Sequence, residues 1–123
     1  MILYHPSDRK FNIVKVKYFG EHYYTLNDMK ISPVPRTFWY NELPISENRF
    51  KSSQFIYVAK VNKKRIYDLR KDKNNLLEKF RYRGLHGLLL YLKKRYLGVI
   101  YQVQEFNLVA IFKDIKPIRR IEK

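Results

Sequence analysis

The hydrophobic pattern of this chain reads mostly as strand, in short alternating or continuous apolar segments, and changes to spacings of three and four in one stretch. Val14, Val16 and Tyr18 alternate with Lys15 and Lys17, which predicts a half-buried strand over 11–18. Apolar runs at 2–4, 55–61, 66–69, 99–103 and 108–112 read as further strands, and Tyr23-Tyr24-Thr25 as another after the break at Phe19-Gly20. Two helices are predicted. Over 74–81, Leu76, Leu77 and Phe80 share a face, with Asp72 or Asn74 as the cap. Over 85–95, Leu85, Leu88, Leu89 and Leu92 form the apolar stripe, and Lys93, Lys94 and Arg95 suit the negative end of the helix dipole. From 31 to 53 the pattern fails among Pro33, Pro35 and Pro44, which reads as a long functional flap holding Phe38-Trp39-Tyr40. The last residues, from Lys116, read as a basic tail.

Composition narrows the picture to one α+β domain over 1–123, because 123 residues supply one core and not two, and 46% hydrophobic content is enough to build it. Lys and Arg number 26 against 11 Asp and Glu, a net charge of +15. Such an imbalance is self-repulsive and points to a polyanion: an acidic partner, a nucleic acid or a ribonucleoprotein. The clusters Lys63-Lys64-Arg65 and Lys93-Lys94-Arg95 are the candidate contacts.

Cysteine is absent, which removes disulfides, thiol nucleophiles and Cys-ligated zinc. His5, His22 and His86 have no metal-ligand spacing, so no metal is expected. The four glycines form neither a Walker loop nor GxGxxG. No apolar run approaches the ~20 residues of a membrane helix, and the opening Met-Ile-Leu-Tyr lacks the form of a signal peptide. A cytoplasmic protein without a membrane partner, complete from its Met, is the expectation.

Two short segments carry more specific chemistry. Leu3-Tyr4-His5-Pro6-Ser7 places a His at the end of an opening strand, and Phe19-Gly20-Glu21-His22-Tyr23-Tyr24-Thr25 follows as a Gly turn into an aromatic strand. Together they resemble the NAD-binding half of ADP-ribosyltransferases of the His-Tyr-Glu type, in particular small phage-encoded members that act as anti-CRISPR proteins. Tyr57 to Val61, Ile66-Tyr67-Asp68-Leu69, Gly98-Val99-Ile100-Tyr101 and 109–116 are similar, in order, to later strands of that family. The resemblance implies two small packed antiparallel sheets around an NAD cleft, with the helices between about 74 and 95. It also implies transfer of ADP-ribose from NAD to a macromolecule. His5 and Ser7 would hold the dinucleotide, Tyr23 or Tyr24 would stack on the nicotinamide, and Trp39 would either cover it or serve the core. Glu105 would stabilise the oxocarbenium-like ribose as the catalytic carboxylate. One departure stands inside the motif: Pro6 occupies a position where many members have Gly, and proline has no backbone N–H.

Two other classes fit the composition. A basic module that binds nucleic acid or ribonucleoprotein without catalysis would use the same clusters with interleaved tyrosines. A small ribonuclease toxin would use Arg, Lys, Tyr and His.

Overall fold

Residues rich in Ile, Val and Tyr pair into a sheet in which the first and last strands flank the same strand. The computed structural model describes residues 1–17, 34–43, 52–103 and 106–122. Seven strands are formed there: β1 (Ile2–Ser7), β2 (Thr37–Tyr40), β3 (Phe55–Lys60), β4 (Ile66–Asp68), β5 (Gly98–Val103), β6 (Phe106–Ile111) and β7 (Arg119–Glu122). Helices α1 (Leu76–Lys79) and α2 (Gly84–Arg95) lie between β4 and β5, within the expected interval. The domain is therefore α+β, but the described strands hydrogen-bond as one sheet, in the order β4-β5-β6-β2-β1-β3-β7, where two separate sheets were expected. All neighbours are antiparallel except β4 and β5.

The sheet cannot be flat. Five strand spacings separate β3 from β4 in that order, about 24 Å in a flat sheet. The chain from Lys60 to Ile66 includes a 3₁₀ turn at Lys63–Arg65 and reaches only about 16 Å. The sheet must curl, and its weakest join is β1 with β2, which share one registered pair, Tyr4↔Tyr40. Leu3 and Ala59 from one half accordingly bury against the same inner core as Ile66, Ile100, Val109 and Ile111 from the other. The outer face of the β5/β6 half carries α2, whose Leu85, Leu88, Leu89 and Leu92 pack with Val99, Tyr101 and Ala110. At the seam of β5 and β6 only glycine fits position 98, since a Cβ there would run into the Ala110 carbonyl.

Four expectations change. The alternating segment over 11–18 forms isolated bridges, Val14↔Ile115 and Lys17↔Arg36, and no named strand among its described residues. Its backbone is satisfied piecemeal, with Val16 N donating to Asp114 Oδ1 and the Lys15 carbonyl accepting from Thr37 Oγ1. The expected flap instead contains β2, a central strand of the sheet, because Pro35 precedes the pairing residues and leaves their donors intact. The basic tail is β7, an edge strand whose charged residues protect an open ladder. The first helix shrinks to one turn, since Asp72 and Asn75 adopt left-handed φ of 45° and 54° ahead of it.

Asp72 nonetheless caps that turn, accepting from Leu76 N at 2.8 Å and Leu77 N at 3.0 Å. It also accepts from the Tyr67 hydroxyl. Burial and then this bond to a carboxylate push the Tyr67 hydroxyl up to about 12. Asp72→Ala leaves two backbone donors uncapped and takes the acceptor from the Tyr67 hydroxyl, which keeps only the bond it accepts from Asn74 N, so chemical denaturation should show a loss of about 2–4 kcal/mol, with Asp72→Asn recovering part of it.

Candidate functional site

β1 is paired with β3 along its whole length, Ile2↔Lys60 through Ser7↔Phe55, but parts from β2 after Tyr4. The cause is legible in the register. Continuing the Tyr4↔Tyr40 pair by two residues on each strand sets Pro6 opposite Phe38, and in an antiparallel ladder Phe38 turns its carbonyl toward β1. Pro6 has no N–H to give it. The His5 imidazole takes that place, with Nδ1 at 2.8 Å from the Phe38 carbonyl oxygen. A carbonyl only accepts, so Nδ1 carries the proton and a neutral His5 keeps a lone pair on Nε2. Proline in the motif thus ends one strand pairing and fixes the tautomer of the residue before it.

Where the strands part, a cavity of about 740 Å³ opens. His5, Pro6 and Ser7 line it from β1, and Thr37, Phe38 and Tyr40 from β2. The chain after β1 supplies the remaining wall with Arg9, Phe11, Lys15 and Lys17. That wall is fastened by Tyr57, whose hydroxyl accepts from Phe11 N at 2.9 Å and donates to the Arg9 carbonyl at 2.7 Å. The Phe11 ring stacks on Tyr57 with centroids 4.4 Å apart. Arg9, Lys15 and Lys17 face a single carboxylate, Asp8, among the described lining residues, so the cleft attracts anions. Ser7 Oγ accepts from Arg9 N and shapes the turn that brings Arg9 to the rim.

Burial pushes the His5 imidazole below its ordinary value of 6.5; the Phe38 carbonyl bond works against this and the Lys17 charge adds to it. Because the folded state holds His5 less basic than the unfolded chain does, its contribution to stability is present above pH 6.5. It declines as pH falls from there toward the lowered value. His5→Gln should flatten this part of the stability profile between pH 7 and 5, and parallel urea titrations of the two proteins provide the measurement.

The residues singled out from sequence fall into four groups. His5 and Ser7 line the cleft. Trp39 does not: it is wholly buried in the inner core, with its ring 5.2 Å from that of His5, so it backs the imidazole instead of covering a ligand. Thr37, Phe38 and Tyr40 of the same strand do line the cleft, Phe38 also packing against the outer core. Tyr23, Tyr24 and Glu105 lie outside the described residues. The basic clusters 63–65 and 93–95 lie away from the cleft, at the starts of β4 and β5. Missed in the sequence were Arg9, Phe11 and Phe38, and Lys15 and Lys17 were read as the wet face of a strand. Their signal was the set of four cations, Arg9, Lys10, Lys15 and Lys17, within twelve residues of His5, three of which line the cleft.

Among the described residues, no three His, Asp or Glu side chains gather as a metal site, and no helix is long and apolar enough to cross a membrane. No family model, curated protein or solved structure matches the chain.

Proposed function

We propose that the cleft binds NAD and that the protein transfers ADP-ribose from it to a macromolecular acceptor. The observation that supports this most is the position of His5: a neutral imidazole, locked through Nδ1 and with Nε2 left for a ligand, at the point where the sheet splits open. The donor set suits a dinucleotide. About 740 Å³ lies within the range of small-ligand pockets, Arg9, Lys15 and Lys17 provide charge for a pyrophosphate, and Phe11, Phe38 and Tyr40 provide aromatic surface. Nε2 would accept a hydrogen bond from a ribose hydroxyl.

In the transfer, the glycosidic bond between the ribose C1′ and the nicotinamide nitrogen breaks, and nicotinamide leaves as a neutral ring with the bonding pair. An acceptor nucleophile attacks C1′ and loses its proton to solvent or a nearby base. By the resemblance of 19–25 and the closing strands, Tyr23 stacks on the nicotinamide and Glu105 faces the ribose, where positive charge develops. The small size of Ser7 leaves room for the nicotinamide end beside β1.

Calorimetry with NAD tests the binding step. Wild-type protein should bind and should gain about 2.7 kcal/mol of stability at a hundredfold excess over Kd. His5→Ala should lose most of that gain while keeping its fold, as judged by circular dichroism. Absence of NAD binding by the wild type would overturn the proposal. Binding without release of nicotinamide, with or without host lysate, would overturn its catalytic half.

A further inference from the structure

The two basic clusters are distant in sequence and adjacent in space. Lys63–Arg65 form the 3₁₀ turn that runs directly into β4, and Lys93, Lys94 and Arg95 end α2 just before β5. β4 and β5 are the parallel pair of the sheet, with Ile66 opposite Gly98, and Leu97 N donates to the Arg65 carbonyl at 2.8 Å. The parallel pairing, with strands about 5 Å apart, therefore sets both clusters near one end of neighbouring strands, the second cluster two residues before β5. All six side chains are exposed. None is in an ion pair among the described residues, whereas Arg70, Arg81 and Arg120 each have a carboxylate. Arg95 is held flat on the Tyr91 ring, with its guanidinium carbon 3.7 Å from the centroid, so at least one cation is pre-oriented.

α2 extends this surface. At its other end the chain reads Arg81-Tyr82-Arg83, and Tyr82 is 91% exposed, the most exposed of the large hydrophobic side chains among the described residues. A tyrosine so placed contributes nothing to the core; the Arg81 guanidinium carbon lies over its ring, 5.5 Å from the centroid, and the opposite face is left for a base. The outward side of the helix between the two ends carries His86 and Leu90 and no carboxylate. From Arg83 to Lys94 is about 17 Å along the helix axis. Over that length one nucleic-acid strand presents about five phosphates at duplex spacing.

From this arrangement we propose that α2 and the 3₁₀ turn form a docking surface for single-stranded nucleic acid, with phosphates on Lys63, Lys64, Arg65, Lys93 and Lys94 and a base stacked on Tyr82. The combination decides the class of partner. Unpaired cations alone would suit any acidic surface, but a row of them ending in an exposed aromatic, with Arg81 over one side of its ring and Arg83 next to it in the chain, matches the pairing of backbone charge and base face that a single strand presents. The surface lies apart from the His5 cleft and does not depend on NAD chemistry.

The test is fluorescence anisotropy with a labelled single-stranded RNA of twenty nucleotides, titrated from 50 to 300 mM salt. Wild-type affinity should fall steeply, each phosphate contact adding about 0.7 to the log–log slope. Lys63→Glu/Lys64→Glu should reduce the slope by about 1.4, whereas Arg119→Glu/Arg120→Glu, an equal charge change on β7, should leave it near wild type. Tyr82→Ala should weaken binding by about 5- to 150-fold at every salt concentration with an unchanged slope, the signature of lost stacking. His5→Ala should bind RNA like wild type, which separates this surface from the cleft. The proposal fails if wild type shows no salt-dependent binding or if both double variants lower the slope equally. It also fails if a poly-glutamate peptide of matched length competes as well as unlabelled RNA.

Discussion

Glu105→Gln should lower ADP-ribosyl transfer by about a hundredfold or more while leaving NAD affinity within a few-fold. In the proposed reaction the ribose gains positive charge only as the nicotinamide bond lengthens, so a carboxylate beside it interacts weakly with bound NAD and strongly with the transition state. The isosteric amide keeps shape and hydrogen bonding and removes that charge. Single-turnover release of labelled nicotinamide, measured beside NAD titration, separates the two quantities. Unchanged turnover would transfer the role to another carboxylate, and Asp8 is the one described lining residue of that type. Asp68 is an unsuitable substitute because both of its oxygens are taken by Arg70, at 2.9 Å each. That pairing holds its carboxyl below the usual range, so it stays bound to its own cation instead of meeting a ligand.

The strands that the sequence discloses are those whose side chains alone decide their state. β3, with five consecutive buried residues, and β6, with four, read as apolar runs because both of their faces are covered. α2 reads clearly because Leu85, Leu88, Leu89 and Leu92 fall at helical spacing and are buried against the sheet, while Leu90 faces outward. β2 was hidden by its neighbours: three prolines around it suggest irregular chain, yet none falls within Thr37–Tyr40. β7 was hidden by its chemistry, since Arg119, Arg120 and Glu122 carry the charge that an edge strand needs and a basic tail also has. The segment over 11–17 erred the other way, because a period of two shows that side chains alternate and does not supply a partner strand.

The site divides along the same line. His5 is visible in the sequence as a motif residue, and its exposure to a cleft follows from what adjoins it. The bond that orients it is invisible there, because it depends on a register between residues 33 apart in the chain. The same register converts Pro6 from an unexplained departure into the reason that a side chain replaces a backbone donor. Trp39 was open between core and ligand, and the alternation of β2 assigns it to the inner face.

Trp39→Ala should be among the most destabilising single changes in the described core, costing about 3–5 kcal/mol. Its ring is completely buried where β1, β2 and β3 meet, among Leu3, Val14 and Tyr57, and the two halves of the sheet share little backbone pairing at that point. Loss of the ring would leave a void directly behind His5. Trp39→Phe should behave differently. The indole Nε1 is buried with no hydrogen-bond partner among the described residues, so the native ring already carries a desolvation cost that phenylalanine lacks, and this offsets part of the lost packing. We expect that variant to lose no more than about 2 kcal/mol. If Trp39 acts only by supporting the imidazole, Trp39→Phe should retain NAD affinity within a few-fold, since His5 keeps an aromatic face behind it and its bond to the Phe38 carbonyl. A folded Trp39→Phe protein with NAD binding reduced by a hundredfold would instead mean that the indole moves into the cleft and touches the ligand, and the supporting role would have to be abandoned.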